Sequence, residues 1–310
     1  MAFKFNESRN RDAEVREKRR ISTDEVLKKV DNLPTLPLVA MKVGQMVHDP
    51  GVTATEIAKT MAEDPSLSAK VLKLVNSPYY AIPGGVSDVQ RAISFIGFNT
   101  LHQVVLSVSV LDALKTPKGS SFDAKGLWTH SLAVGSCAEV LAEHIKFKQS
   151  GACFTAGLLH DVGKIALAKA APKLFGGALD DAKQNGKCMS DAEKDIGLPS
   201  HDKIGSRLAK RWKFPYELAL PIEHHHATHR NSVRNELAPS LMSLVDIVSV
   251  ADEMARVFQL GDSGSPAPDH HDTKALERLG LTSISVDTIY SELMRKLEVS
   301  KSFLDLLDAA

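Results

Sequence analysis

Cysteine is nearly absent from this chain: Cys137, Cys153 and Cys188 are odd in number, far apart and free of any CxxC spacing. That excludes a disulfide framework and fits reduced thiols in a cytosolic protein. Net charge is absent too. With 38 basic and 38 acidic residues, bulk charge gives no reason to expect binding to nucleic acid or to an acidic membrane. Long hydrophobic runs are missing: stretches such as Val104–Val110 are short and broken by serine, too short to span a bilayer. The start, Met1-Ala-Phe-Lys-Phe-Asn, lacks the apolar stretch and cleavage site of a secretory signal. No segment of useful length alternates with a β period, which leaves helices. What is present is an ordinary globular composition, 43% hydrophobic and 25% charged, over a length that buries a real core. Histidine stands out, with 12 copies. His224, His225, His226 and His229 crowd together.

The pattern predicts an all-α protein. Residues 1–21 form a polar arm ending in Arg16-Glu17-Lys18-Arg19-Arg20. Ser22-Thr23-Asp24-Glu25 has the form of a capping box, followed by a helix over Asp24–Val30 that Leu33-Pro34-Thr35-Leu36-Pro37 breaks. Helical spacing then runs from Leu38 to Leu114, through Val39, Val43, Met46 and Val47 and on to Ile57, Met61, Leu67, Val71, Leu72 and Val75. Asp49-Pro50-Gly51, Asp64-Pro65, Ser77-Pro78 and Pro83-Gly84-Gly85 punctuate it. Asp64 is placed to cap a helix with Pro65 in its first turn. Lys115–Ser121 is the expected boundary, dividing residues 22–118 from 119–262. Later helices are expected near Phe122–Ile145, Gly151–Ala170, Leu179–Gln184, Asp191–Ile196, His201–Trp212, Pro215–His226, Leu237–Phe258 and Ser285–Leu307. A loop and C-terminal extension fill 263–310. The last helix, amphipathic through Ile289, Leu293, Leu297 and Leu304, caps the second bundle or a partner's surface.

The sharpest local motif is Gly157-Leu158-Leu159-His160-Asp161-Val162-Gly163-Lys164-Ile165. It sets an imidazole beside a carboxylate at the polar break of an apolar helix. Neighbours on a helix point about 100° apart, so both reach one ion only if it sits beside the helix. Alone, the pair is a weak signal and reads first as a buried histidine bonded to an aspartate. It is accompanied by His130, His201, the run His224-His225-His226, and Asp252 inside an apolar helix, where an unpaired carboxylate is costly. Mixed imidazole and carboxylate donors suit Fe, Mn, Zn, Co or Ni better than Mg or Ca. Helices that each contribute one or two inward donors are a common way to build such a site. His48, His102 and His144 lack local partners, His229 and His270-His271 suit solvated loops, and Cys137 and Cys153 read as core residues.

Leu36-Pro37, Asp64-Pro65-Ser66-Leu67-Ser68, Asn76-Ser77-Pro78-Tyr79-Tyr80 and Ala92-Ile93-Ser94-Phe95-Ile96-Gly97 resemble the HDOD family, the HD-related output domains of bacterial signalling proteins. Gly205 to Trp212, Pro215 and the paired histidines fit the same pattern, so the resemblance spans Val26 to Val257. It implies an N-terminal helical bundle packed on an HD-domain-like helical bundle. Many relatives have lost the HD ligands and are treated as regulatory modules. This sequence is unusually complete. His130, His160, Asp161 and Asp252 match the four-ligand core of metal-dependent HD phosphohydrolases. His201, His225 and His226 resemble the additional ligands with which HD-GYP phosphodiesterases hold a second metal. On that alignment Asp161 bridges two ions, and Lys164 stands where a basic residue meets substrate phosphate, although a surface helix position suits it as well. Asp252 is preferred to Asp246 because the Ala251-Asp252 step matches the family. His225 and His226 are preferred to His224 by their distance from Pro221-Ile222. Gly126 replaces an extra carboxylate of some relatives, so a third ion is not expected. Ala227-Thr228-His229-Arg230-Asn231 replaces the GYP stretch.

The resulting expectation is a cytoplasmic signalling module with one or two divalent transition ions, acting by binding a partner protein or a nucleotide or other phosphate-containing ligand. The alternative is a phosphohydrolase or phosphodiesterase with a dinuclear centre, with Asp161 and Lys164 as catalytic residues. Membrane and nucleic-acid partners are not expected.

Overall fold

A computed structural model describes residues 23–115, 122–226, 237–266, 272–281 and 286–305, and among these the regular structure is helical throughout. The polar arm, the loop after His226 with His229, and His270-His271 lie outside the described residues. So does Ser22, which leaves the expected capping box untested. Thr23 instead donates its hydroxyl to the Gly197 carbonyl at 3.0 Å.

The helices follow from the caps and breaks in order. α1 covers residues 23–31, and the two prolines end it before α2 (Leu38–Met46). α3 (Ala54–Ala62) carries a full capping box from Thr53 and Glu56. α4 (Pro65–Val75) is capped by Asp64, whose carboxylate accepts from the Leu67 amide at 3.0 Å. Asn76 then clamps the following turn, accepting from the Val86 amide at 2.7 Å and donating to its carbonyl at 2.8 Å. α5 (Val89–Ala113) is kinked at Gly97, whose φ of 77° only glycine adopts without strain. By length and composition this helix could cross a membrane, beyond what its short apolar runs suggest. The kink and the burial of Leu101, Val104, Val105, Val108 and Val110 make it a core helix here.

α6 (Ala124–His144) is the hub. It packs against α7 (Ser150–Leu159), α13 (Pro239–Val257) and α15 (Val286–Ser300). Small residues make this possible, since a Cβ on Gly157 would come within 2.7 Å of the Gly135 backbone. α5 rests on α2, α3 and α4 on one side and on α7 on the other, which joins the two bundles through one continuous core. Between α7 and α13 lie α8 (Val162–Ala170), α9 (Pro172–Asn185), α10 (Met189–Asp195), α11 (His201–Arg211) and α12 (Tyr216–His224). α14 (Thr273–Leu279), not expected from the sequence, packs on α13. The helix expected at Leu179–Gln184 is the second half of the longer α9. α15 buries Ile289 and Leu293 against α6, so it caps this chain's own bundle. Cys137 is a core residue, and burial pushes its thiol up to about 12.

Gly163, at the start of α8, sets how closely α8 and α11 cross. A Cβ there would lie 1.8 Å from the His201 carbonyl oxygen. Gly163→Ala is therefore expected to cost about 2–4 kcal/mol of unfolding free energy. Gly177→Ala, in the interior of α9 with nothing within 4 Å of the added carbon, is expected to gain up to about 1 kcal/mol. Urea unfolding of the two variants checks the contrast; equal shifts would contradict it.

Candidate metal centre

The expected helix over residues 151–170 is two helices, and the break falls at His160-Asp161. Asp161 leaves the helical region at φ −97°, ψ 15°. This eases the angular problem posed by adjacent donors, because a break can aim both side chains into one space without requiring that it lie directly beside a continuous helix. His160 donates from Nδ1 to the Gly157 carbonyl at 2.7 Å, which turns its Nε2 inward.

Around this junction the structure gathers every donor proposed from the sequence. In one group, His160 Nε2 lies 3.3 Å from Asp161 Oδ2 and 3.8 Å from Asp252 Oδ1. His130 Nε2 contacts the same Asp252 oxygen at 3.0 Å. In the other, His201 Nε2 and His225 Nε2 lie 3.4 and 3.5 Å from Asp161 Oδ1, and His226 Nε2 is 2.9 Å from His201 Nε2. Asp161 belongs to both groups, one oxygen turned to each. Gly261 makes room for α6: its φ is 75°, and a Cβ would meet the His130 nitrogen at 2.2 Å.

Burial decides the electrostatics. His130, His160, Asp161, His201, His225 and Asp252 are at most 2% exposed. Burial holds the His225 and His130 imidazoles below their ordinary range, and burial with the neighbouring His225 and His201 holds His226 well below it. These rings are thus favoured in the neutral form that ligates metals. Burial alone would raise the Asp161 carboxyl, but His160 and Lys164 more than offset it and keep the carboxyl well below the usual range. For Asp252 the same burial is outweighed by Arg256 and His130.

Three inward atoms, His160 Nε2, Asp161 Oδ1 and His225 Nε2, have no hydrogen-bond partner among the described residues. An orphaned buried polar atom costs about 1–3 kcal/mol. Donors about 2.0–2.2 Å from a common ion stand about 3–3.5 Å from one another. The separations of 2.9, 3.4 and 3.5 Å in the imidazole-rich group fit that spacing. The residues fit a transition ion.

Two alternatives lie outside the two groups. Asp246 points elsewhere, taking a bidentate pair from Arg278 at 2.7 and 2.8 Å. His224 is buried but belongs to neither group. Lys164 is not a surface residue. At 2% exposure, its ammonium donates to Asp161 Oδ2 at 2.7 Å and to the Ser263 carbonyl at 2.9 Å. A phosphate contact would compete with both bonds.

Two supporting residues escape a motif reading. Glu193, fully buried on α10, accepts from the His201 backbone amide at 2.9 Å and from its Nδ1 at 2.8 Å. That bond fixes the tautomer and aims Nε2 inward. Eight residues separate the pair and no periodicity links them. Arg256 binds Asp252 Oδ2 at 2.9 Å from one turn on, and here the opposite charges at i,i+4 were a readable signal.

The family model of the HDOD domain matches residues 33–228. Among solved structures, the chain is similar to an HDOD domain protein of unknown function from Geobacter sulfurreducens: 28% identity, TM-score 0.74, covering 95% of this chain and 99% of that one. It also shares its fold with a protein of Shewanella amazonensis SB2B provisionally named a phosphohydrolase, at 23% identity and TM-score 0.67, covering 92% and 98%. An uncharacterised protein of Treponema pallidum (strain Nichols) is 25% identical over 205 residues, 64% of this chain. The match spans 38% of that relative's length.

Glu193→Ala would strand two buried donors of His201 and is expected to cost about 2–5 kcal/mol. Glu193→Gln, whose carbonyl still accepts one of them, should recover about half. Thermal unfolding of the metal-free protein checks this; an Ala variant as stable as the parent would contradict it.

Proposed function

The chain belongs to the HDOD domain family, and on that premise we propose that it is a signalling module organised around a bound divalent transition metal. One observation carries the reading: the orphaned Asp161 Oδ1 and His225 Nε2 face each other at 3.5 Å, beside His201 and His226, with no protein donor for either. A cation that accepts their lone pairs relieves both. His201, His225, His226 and Asp161 would hold it, with His130, His160 and Asp252 lining the adjoining half. The ion would tie the α7–α8 junction to α11 and to the end of α12, and so stiffen the surface that a cytoplasmic partner protein or a nucleotide recognises. Fe, Mn, Zn, Ni and Co all suit this donor set.

A second reading, metal-dependent phosphohydrolase or phosphodiesterase, is favoured by one feature: Asp161 turns its two oxygens to two different imidazole groups, as a bridging carboxylate does. When bound, such ions supply Lewis acidity and lower the pKa of a coordinated water. In that case Asp161 holds the two halves together. Lys164 positions Asp161, and it reaches a substrate phosphate only by giving up its present bonds.

Protein purified without chelator is expected to carry at least about one equivalent of metal by elemental analysis. Stripping it should lower the Tm by about 5 °C or more, an effect that His225→Ala removes. Metal-free protein with an unchanged Tm would sink the metal reading. The two functions separate in a turnover assay with bis(p-nitrophenyl) phosphate and Mn, Fe, Ni or Zn. The module shows no turnover despite stoichiometric metal, whereas turnover lost in Asp161→Ala establishes the hydrolase.

A further inference from the structure

The two halves of the cluster differ in what faces inward. In the imidazole-rich half, Nδ1 of His201 donates to Glu193, and Nδ1 of His225 faces the carbonyls of Pro221 and Ile222 at 3.1 and 3.2 Å. Both rings therefore turn an Nε2 lone pair toward Asp161 Oδ1, which itself has no donor. Within that half, the proton to be given up is the one on His226 Nε2, shared with His201.

His160 Nε2 aside, the other half is already supplied with cations and protons. Asp161 Oδ2 holds the Lys164 ammonium, and Asp252 Oδ2 holds the Arg256 guanidinium. Asp252 Oδ1 accepts from His130 Nε2, which casts that ring as a donor rather than a ligand. Lys164 is anchored further by the Ser263 carbonyl, and Arg256 by the Pro266 carbonyl at 3.3 Å. An ion entering here meets the buried Lys164 charge, the partly buried Arg256 charge and carboxylate oxygens that are already engaged, in a medium where like charges repel strongly.

We propose that the centre loads unequally. A first ion binds His201, His225, His226 and Asp161 Oδ1, while Lys164 and Arg256 act as resident cations that weaken a second ion on the His130–His160–Asp252 half. This rests on the metal reading above and deepens it: the protein is functionally mononuclear until those cations move.

Cobalt(II) titrated into the metal-free full chain, read by equilibrium dialysis and the visible d–d spectrum, tests it. One equivalent should bind, with a second at least about tenfold weaker. His226→Ala should lose the tight equivalent and His130→Ala should keep it. Lys164→Met should tighten the second equivalent at least about tenfold, and the charge-preserving Lys164→Arg should not. If circular dichroism shows that Lys164→Met does not fold, Arg256→Gln makes the same test from the Asp252 side. Two equivalents of equal affinity, tight binding lost in His130→Ala but kept in His226→Ala, or a second equivalent unmoved in the charge-removing variants would overturn the inference and leave metal binding standing. No bound cobalt would remove both.

Discussion

Asp161 carries its carboxylate at 1% exposure, where the chain breaks between two apolar helices. A charge taken that far from water must be met at both oxygens, or the fold bears the desolvation cost. One oxygen is met by Lys164. The other faces the nitrogens of His201 and His225, which offer it no hydrogen bond. Much of the surrounding architecture serves to hold that arrangement. Glycine at position 163 lets α11 approach until the His201 backbone touches α8, and glycine at 261 lets the chain after α13 lie against His130.

The groups behind the donors matter as much as the donors. An imidazole can ligate only through a nitrogen free of its proton, so each outer hydrogen bond selects what the inner face can do. Glu193 holds the Nδ1 proton of His201, the Gly157 carbonyl that of His160, and the Pro221 and Ile222 carbonyls together that of His225, so each ring turns Nε2 inward. His130 is treated differently, bonded through its inward nitrogen to Asp252. A cluster that looks symmetric as a set of residue types is thus asymmetric as a set of protons and charges.

Much of this was legible in the sequence. Helical spacing, the Asp64-Pro65 start and the prolines at 34 and 37 predicted an all-helical chain because caps and breaks are local chemistry. The candidate donors were legible because imidazoles and carboxylates inside apolar stretches are costly unless partnered. The break at His160-Asp161 was hidden, since apolar residues flank it on both sides and period alone cannot end a helix. Glu193 was hidden because its partner is distant along the chain and close only after α10 and α11 pack. The burial of Lys164 was likewise a tertiary fact: a lysine three residues beyond an aspartate reads as exposed until the Ser263 loop closes over it.

Anomalous diffraction from crystals grown without chelator bears most directly on the centre. The account predicts a peak at a transition-metal edge among Asp161, His201, His225 and His226, with donors about 2.0–2.2 Å away. Continuous hydrogen bonding among these side chains, with no anomalous signal after growth in added Mn, Fe, Ni or Zn, would contradict it.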